Sequence, residues 1–82
     1  MIETEHKIIE VLVAFMRNKV MPLSFSLNNK KYAVNKVNMV YATRVGRDKW
    51  YYFTVSSGDD IYKLGFDTEN SHWFLEAAYY NN

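Results

Sequence analysis

Eighty-two residues with a net charge of +1, 49% hydrophobic and 23% charged, suffice for one domain and are too few for two. There is no cysteine, which excludes a disulfide-stapled scaffold, a thiolate metal site and a cysteine nucleophile. Fourteen residues are Phe, Trp or Tyr, and a domain that hides only about 60–65% of its chain's surface needs side chains this large to build a core.

The chain begins Met1-Ile2-Glu3-Thr4-Glu5, acidic where a signal peptide is basic. Its longest apolar run, residues 11–16, is far short of the ~20 residues that span a bilayer. A cytoplasmic protein is therefore expected. The first twenty residues can be read in two ways. Thr4 could cap a helix over residues 4–17, with Ile8, Ile9, Leu12, Val13 and Met16 along its apolar stripe. Ile9, Val11, Val13 and Phe15 also alternate as a strand, and the density of β-branched residues favours that reading.

From Met21 onward, β-rich runs and turn clusters alternate at the spacing of a meandering antiparallel sheet. Pro22 falls near a strand start or on an edge, where its missing N–H does no harm. Leu23, Phe25 and Leu27 alternate with serines up to Asn28-Asn29, and Asn tolerates the positive φ of a tight hairpin. The return strand starts over residues 31–34 and resumes at Val37, Met39 and Tyr41 with opposite parity. A bulge or sharp bend is expected between them, at Asn35-Lys36.

After a turn at residues 44–48 comes the richest strand, residues 49–55. Its faces are Tyr51, Phe53, Val55 and Trp50, Tyr52, Thr54, bulky enough to place it centrally or under cover on both sides. Ser56-Ser57-Gly58-Asp59-Asp60 turns the chain into a strand with Tyr62, Leu64 and Phe66 on one face. A further turn at residues 67–71 leads into the last strand. There Trp73, Leu75, Ala77 and Tyr79 oppose Phe74, Glu76, Ala78 and Tyr80. The expected fold is a single, mainly β domain over residues 1–82, with about six antiparallel strands in a meandering curled sheet or small partly open barrel.

Several landmarks recur in one order: Pro22-Leu23-Ser24-Phe25, Tyr32-Ala33-Val34, Tyr52-Phe53-Thr54-Val55, Tyr62-Lys63-Leu64, and Trp73-Phe74-Leu75-Glu76-Ala77-Ala78-Tyr79. This order resembles a family of small uncharacterised bacterial β-domains, found alone or at the end of proteins related to translesion polymerases. Ile9-Glu10-Val11 is similar to that family's leading strand, although this chain has few arginines. The resemblance implies a small β fold and a link to DNA transactions, and it transfers no site residue.

No chemistry-bearing cluster stands out. His6 and His72 lie well apart without a metal-ligand spacing, and the adjacent Asp59-Asp60 carboxylates point away from each other. Gly46, Gly58 and Gly65 are too scattered for a phosphate-cradling loop. No catalytic residue, metal ligand or cofactor is expected; the protein reads as a non-enzyme, with neither a membrane nor a small-molecule substrate as partner.

Charge is uneven. Residues 17–49 carry Arg17, Lys19, Lys30, Lys31, Lys36, Arg44, Arg47 and Lys49 against Asp48 alone. Two binding functions compete. The leading one is a protein-interaction or homodimerising accessory module that uses Phe74, Tyr79 and Tyr80, residue types that favour interface centres. The alternative is single-stranded nucleic-acid binding, with Lys30, Lys31, Lys36, Arg44, Arg47 and Lys49 along the backbone and Trp50 as a stacking platform. A pI near 8.0 is below that of most dedicated nucleic-acid domains, so itself or another protein ranks first as partner.

Overall fold

The structure, a computed structural model, describes residues 2–81, apart from the side chains of Glu3 and Glu5. Seven strands follow one another: β1 (Ile2–Met16), β2 (Lys19–Leu27), β3 (Lys30–Ala33), β4 (Lys36–Val45), β5 (Asp48–Ser57), β6 (Asp60–Asp67) and β7 (His72–Tyr79). All pair antiparallel in the order β3-β2-β1-β7-β6-β5-β4. Among the described residues no helix is long and apolar enough to cross a membrane.

The ambiguous N-terminal segment is strand, and pairing gives the reason. The first half of β1 pairs with β7, from Ile2↔Tyr79 to Ile9↔Trp73. Its second half pairs with β2, from Glu10↔Ser26 to Met16↔Lys19. One extended segment thus supplies ladders to both arms of the sheet, while Ile9, Val11 and Val13 reach the core. A helix here would leave both neighbours with open edges.

The exchange of partners along β1 starts the curl, and the β3–β4 bend continues it. Val34 N donates to Leu23 O (2.9 Å), extending the β2–β3 ladder, and Asn35 N donates to Ser56 O (2.8 Å), extending the β4–β5 ladder. Consecutive residues therefore serve opposite ends of the strand order, and the sheet rolls into a half-barrel. The Asn35 side-chain oxygen also accepts from Gly58 N at 2.7 Å, tying the bend to the β5–β6 turn. The expected return strand is divided at this bend, which is why seven strands stand where about six were expected.

The concave face holds the core. Phe25, Leu27, Phe53, Val55, Tyr62, Leu64, Trp73 and Leu75 are buried there, with Val11, Tyr32, Tyr51 and Phe66 packed against them. Rings meet across the roll: Tyr62 of β6 lies 5.0 Å from Phe25 of β2 and 5.6 Å from Tyr32 of β3. Burying a large apolar side chain stabilises by about 1.5–3 kcal/mol, so this one-sided cluster is the main source of stability.

Besides a bulge at Leu23, which leaves that residue exposed while Phe25 and Leu27 are buried, two bulges reassign faces that strict alternation would predict. A register shift between Val37 and Met39 leaves Val37 on the concave side and turns Met39 and Tyr41 outward. A second shift, at Glu76, puts Ala78 and Tyr80 on the core side with Trp73 and Leu75, whereas Ala77 and Tyr79 face out with Phe74. One inserted residue reverses every side chain beyond it. The β5 strand is interior to the sheet as expected, but only its concave face reaches full burial, at Phe53 and Val55: Trp50 and Tyr52 remain half-buried on the convex side.

Candidate interaction surface

The roll is incomplete on one side. On β2, residues 24–27 pair with β3, but residues 19–22 pair only with β1. Apart from the bulged Asn38, β4 pairs with β5 along its length and with no other strand. A wedge-shaped seam opens between these two edges, and a cleft of about 550 Å3 occupies it. Phe15, Val20 and Met21 form one wall and Val40, Tyr51 and Phe53 the other. Several of these groups remain in water: Phe15 is 73% exposed, Met16 55% and Val40 51%.

The β4 edge is unusual in its own right. Nine of its ten residues are exposed and Val37 is half-buried, and Met39, Val40, Tyr41 and Val45 are all large and apolar. Edges that must stay unpaired are usually short, charged or broken by bulges. Here the bulge at Asn38 breaks the edge near its start, but residues 39–43 beyond it pair regularly with β5 and carry no charge at all. The free backbone groups can be assigned from the register. The two-residue turn makes Val45↔Asp48 the closing hydrogen-bonded pair, so hydrogen bonding to β5 alternates from there. The N–H and C=O groups of Arg44, Ala42 and Val40 therefore point toward the open edge.

The rim is cationic. Arg17 and Lys19 stand at the β1–β2 turn, Lys36 at the closed end of the seam, and Arg44, Arg47 and Lys49 at the β4–β5 turn. Lys49 Nζ lies over the Tyr51 ring at 5.1 Å, beside the cleft. The one contact of ion-pair geometry among the described residues is elsewhere, between His6 and Glu76. Lys30 and Lys31, from the same basic stretch, stand at the β2–β3 turn, at the other end of the continuous β3–β4 path. The basic residues thus form a seam cluster and a separate pair, not one groove.

The convex face carries a row of rings. Phe74 pairs across Gly65 to Tyr52, and Tyr52 pairs to Tyr41. Trp50 stacks on Phe74 at 5.3 Å and on Tyr52 at 6.2 Å, His6 on Phe74 at 4.3 Å, and Tyr41 on Tyr52 at 5.2 Å. Gly65 is what lets them close up: a Cβ there would stand 3.1 Å from Glu76 Oε1 and 3.2 Å from the Tyr52 ring. His6 Nδ1 donates to Glu76 Oε2 at 2.7 Å, and Lys63 Nζ sits 4.8 Å above Tyr52. A hydrogen bond to Tyr41 raises the Lys63 pKa, and burial followed by the Glu76 charge raises that of Tyr52. The ring faces are turned to one another, each contact stabilising by about 0.5–1.5 kcal/mol.

Of the residues singled out from sequence, Phe74 is half-buried in this row, Tyr79 lies exposed beside it and Tyr80 turns to the core side against Tyr62. The three do not form one surface. Trp50 belongs to the convex row, on the opposite face from the seam that Lys49 and Tyr51 border. His6 and His72, distant in sequence, both contact Phe74, and no group of three or more His, Asp or Glu among the described residues is placed to hold a metal ion. Sequence reasoning missed the seam residues Phe15, Met16, Val40 and Ala42. The signal for Val40 and Ala42 was a run, residues 39–42, that is apolar at successive rather than alternate positions. No protein family, curated protein or solved structure matches the chain.

Proposed function

We propose that this chain is a non-enzymatic protein-interaction module that binds its partner by accepting a further β-strand along β4. The carrying observation is that edge: ten residues long, paired on one side only and exposed at nine positions, with apolar side chains where a protected edge would carry charge. Strand addition takes affinity from main-chain hydrogen bonds and specificity from alternate side chains. Both are available here, because the outward amides of Val40, Ala42 and Arg44 lie above a cleft that takes the side chains of one face.

The test is panning of phage-displayed random peptides of about twelve residues, a length that covers the edge. Binders are expected to lose at least about tenfold in affinity to the Ala42→Pro variant, because proline removes one outward N–H and leaves the β4–β5 ladder intact. If no binder emerges, or if binders ignore Ala42→Pro, the reading is wrong. Sedimentation velocity on the free protein identifies the other donor: a dimer abolished by Ala42→Pro would make a second copy the strand supplier.

A further inference from the structure

Resting on that strand-addition reading, we infer that the partner segment is an extended acidic strand, apolar at alternate positions, that enters the seam between β2 and β4 and completes the barrel.

Three observations converge on this chemistry. The first is geometric. The seam has two unsatisfied edges, residues 19–22 on one side and β4 on the other. An extended polypeptide can hydrogen-bond to either edge and remove it from water; a nucleic acid has no comparable ladder of alternating N–H and C=O groups.

The second is steric and apolar. The cleft of about 550 Å3 is walled by Phe15, Val20, Met21, Val40 and Phe53. A strand seated there points every second side chain inward, so the inward positions must be apolar and the outward ones are free to be charged. The flat, ring-rich surface that would suit bases lies on the convex face, away from the seam, with its rings packed on one another.

The third is electrostatic. Arg17, Lys19, Lys36, Arg44 and Arg47 surround the seam with no carboxylate paired to any of them among the described residues, and Asp48 is the one acidic residue between Val11 and Gly58. Such a rim attracts anionic segments and repels cationic ones, which sets specificity and association rate. It also disfavours a second copy lying β4 against β4, since that would bring two cationic rims together.

The experiment titrates dye-labelled peptides of about ten residues, with Val and Thr at alternate positions and Glu, Gln or Lys between them, by fluorescence anisotropy. Oligo-dT of similar length is the polyanion control. The Glu peptide is expected to bind at least about tenfold tighter than the Lys peptide at low salt, with the gap narrowing at high salt. Ala42→Pro should weaken the Glu peptide, and a Lys19→Glu/Arg44→Glu double variant should shift preference toward the Lys peptide.

Equal binding of the Glu, Gln and Lys peptides, each lost in Ala42→Pro, would overturn the acidic assignment and leave strand addition standing. No binding by any peptide, together with failed panning, would remove both. Oligo-dT binding tighter than the Glu peptide, and lost in the double variant, would overturn the inference in favour of nucleic acid.

Discussion

The Asp67 carboxylate is buried at the end of β6 and organises the turn that follows. It accepts hydrogen bonds from Asn70 Nδ2 and from Glu69 N, both at 3.0 Å. These bonds, the Asn70 side chain foremost, hold its pKa below the ordinary carboxylate value. The folded protein therefore binds this proton less tightly than the unfolded chain, whose Asp titrates near about 3.9. The resulting stability is present above that pH and is lost as pH falls through the lower folded value. Asp67→Asn is expected to flatten the acid limb below about pH 4, read by urea denaturation at descending pH; a variant that keeps the wild-type limb would refute the assignment. Asp67-Thr68-Glu69-Asn70-Ser71 was legible as a turn, because such residues close turns with their own side chains. That the carboxylate is buried was not. Nor was the His6–Glu76 bond, whose partners meet only through the pairing of β1 with β7.

Among the elements, the hairpins were the most legible. Asn28 and Asn29 adopt φ of 53° and 65°, positive at both loop residues as a type I′ turn requires. Asn29→Val, which puts a branched side chain into that left-handed region, should cost about 1–2 kcal/mol in thermal or chemical denaturation, while Asn29→Gly should be neutral or stabilising. A tolerated valine would mean that the turn reshapes freely. Gly46 and Gly58, at φ of 64° and 60°, begin the two-residue turns after β4 and β5, and both segments read as turns in the sequence. The bulges were not legible. Nothing in Asn38 or Glu76 marks an inserted residue, because a bulge is fixed by the strand opposite, and period-2 reasoning carries the wrong face forward past it. This is why Val40 was not read as a cleft residue and why Tyr80 was grouped with Phe74.

At the scale of the whole molecule, the aromatic cores of the two arms meet at one ring. Tyr62 touches Phe25 and Tyr32 in one arm and Tyr80 beyond β7, and burial, reinforced by the Asp60 charge, pushes its hydroxyl pKa up to about 12. Tyr62→Ala should cost about 3–5 kcal/mol, a large part of the stability of a domain this size. Because the arms share this core, far-UV circular dichroism and tryptophan fluorescence should lose signal in a single coincident transition. Separate transitions, with the tryptophan-bearing arm melting last, would show two independently stable halves. The class of fold was legible because alternation and turn chemistry repeat along the chain. Closure was legible only at Asn35, where apolar parity slips. The open seam was not, since it depends on how far β2 outruns β3.

The pairing of Ile2 with Tyr79 sets how the domain carries a mechanical load. Both ends of the described chain leave from the same point, on neighbouring antiparallel strands. Tension applied through them would peel β1 from β7 one rung at a time, instead of shearing many rungs at once. The domain is thus built to unzip under such a load, and anything fused at either end would sit beside the same end of the β1–β7 pair.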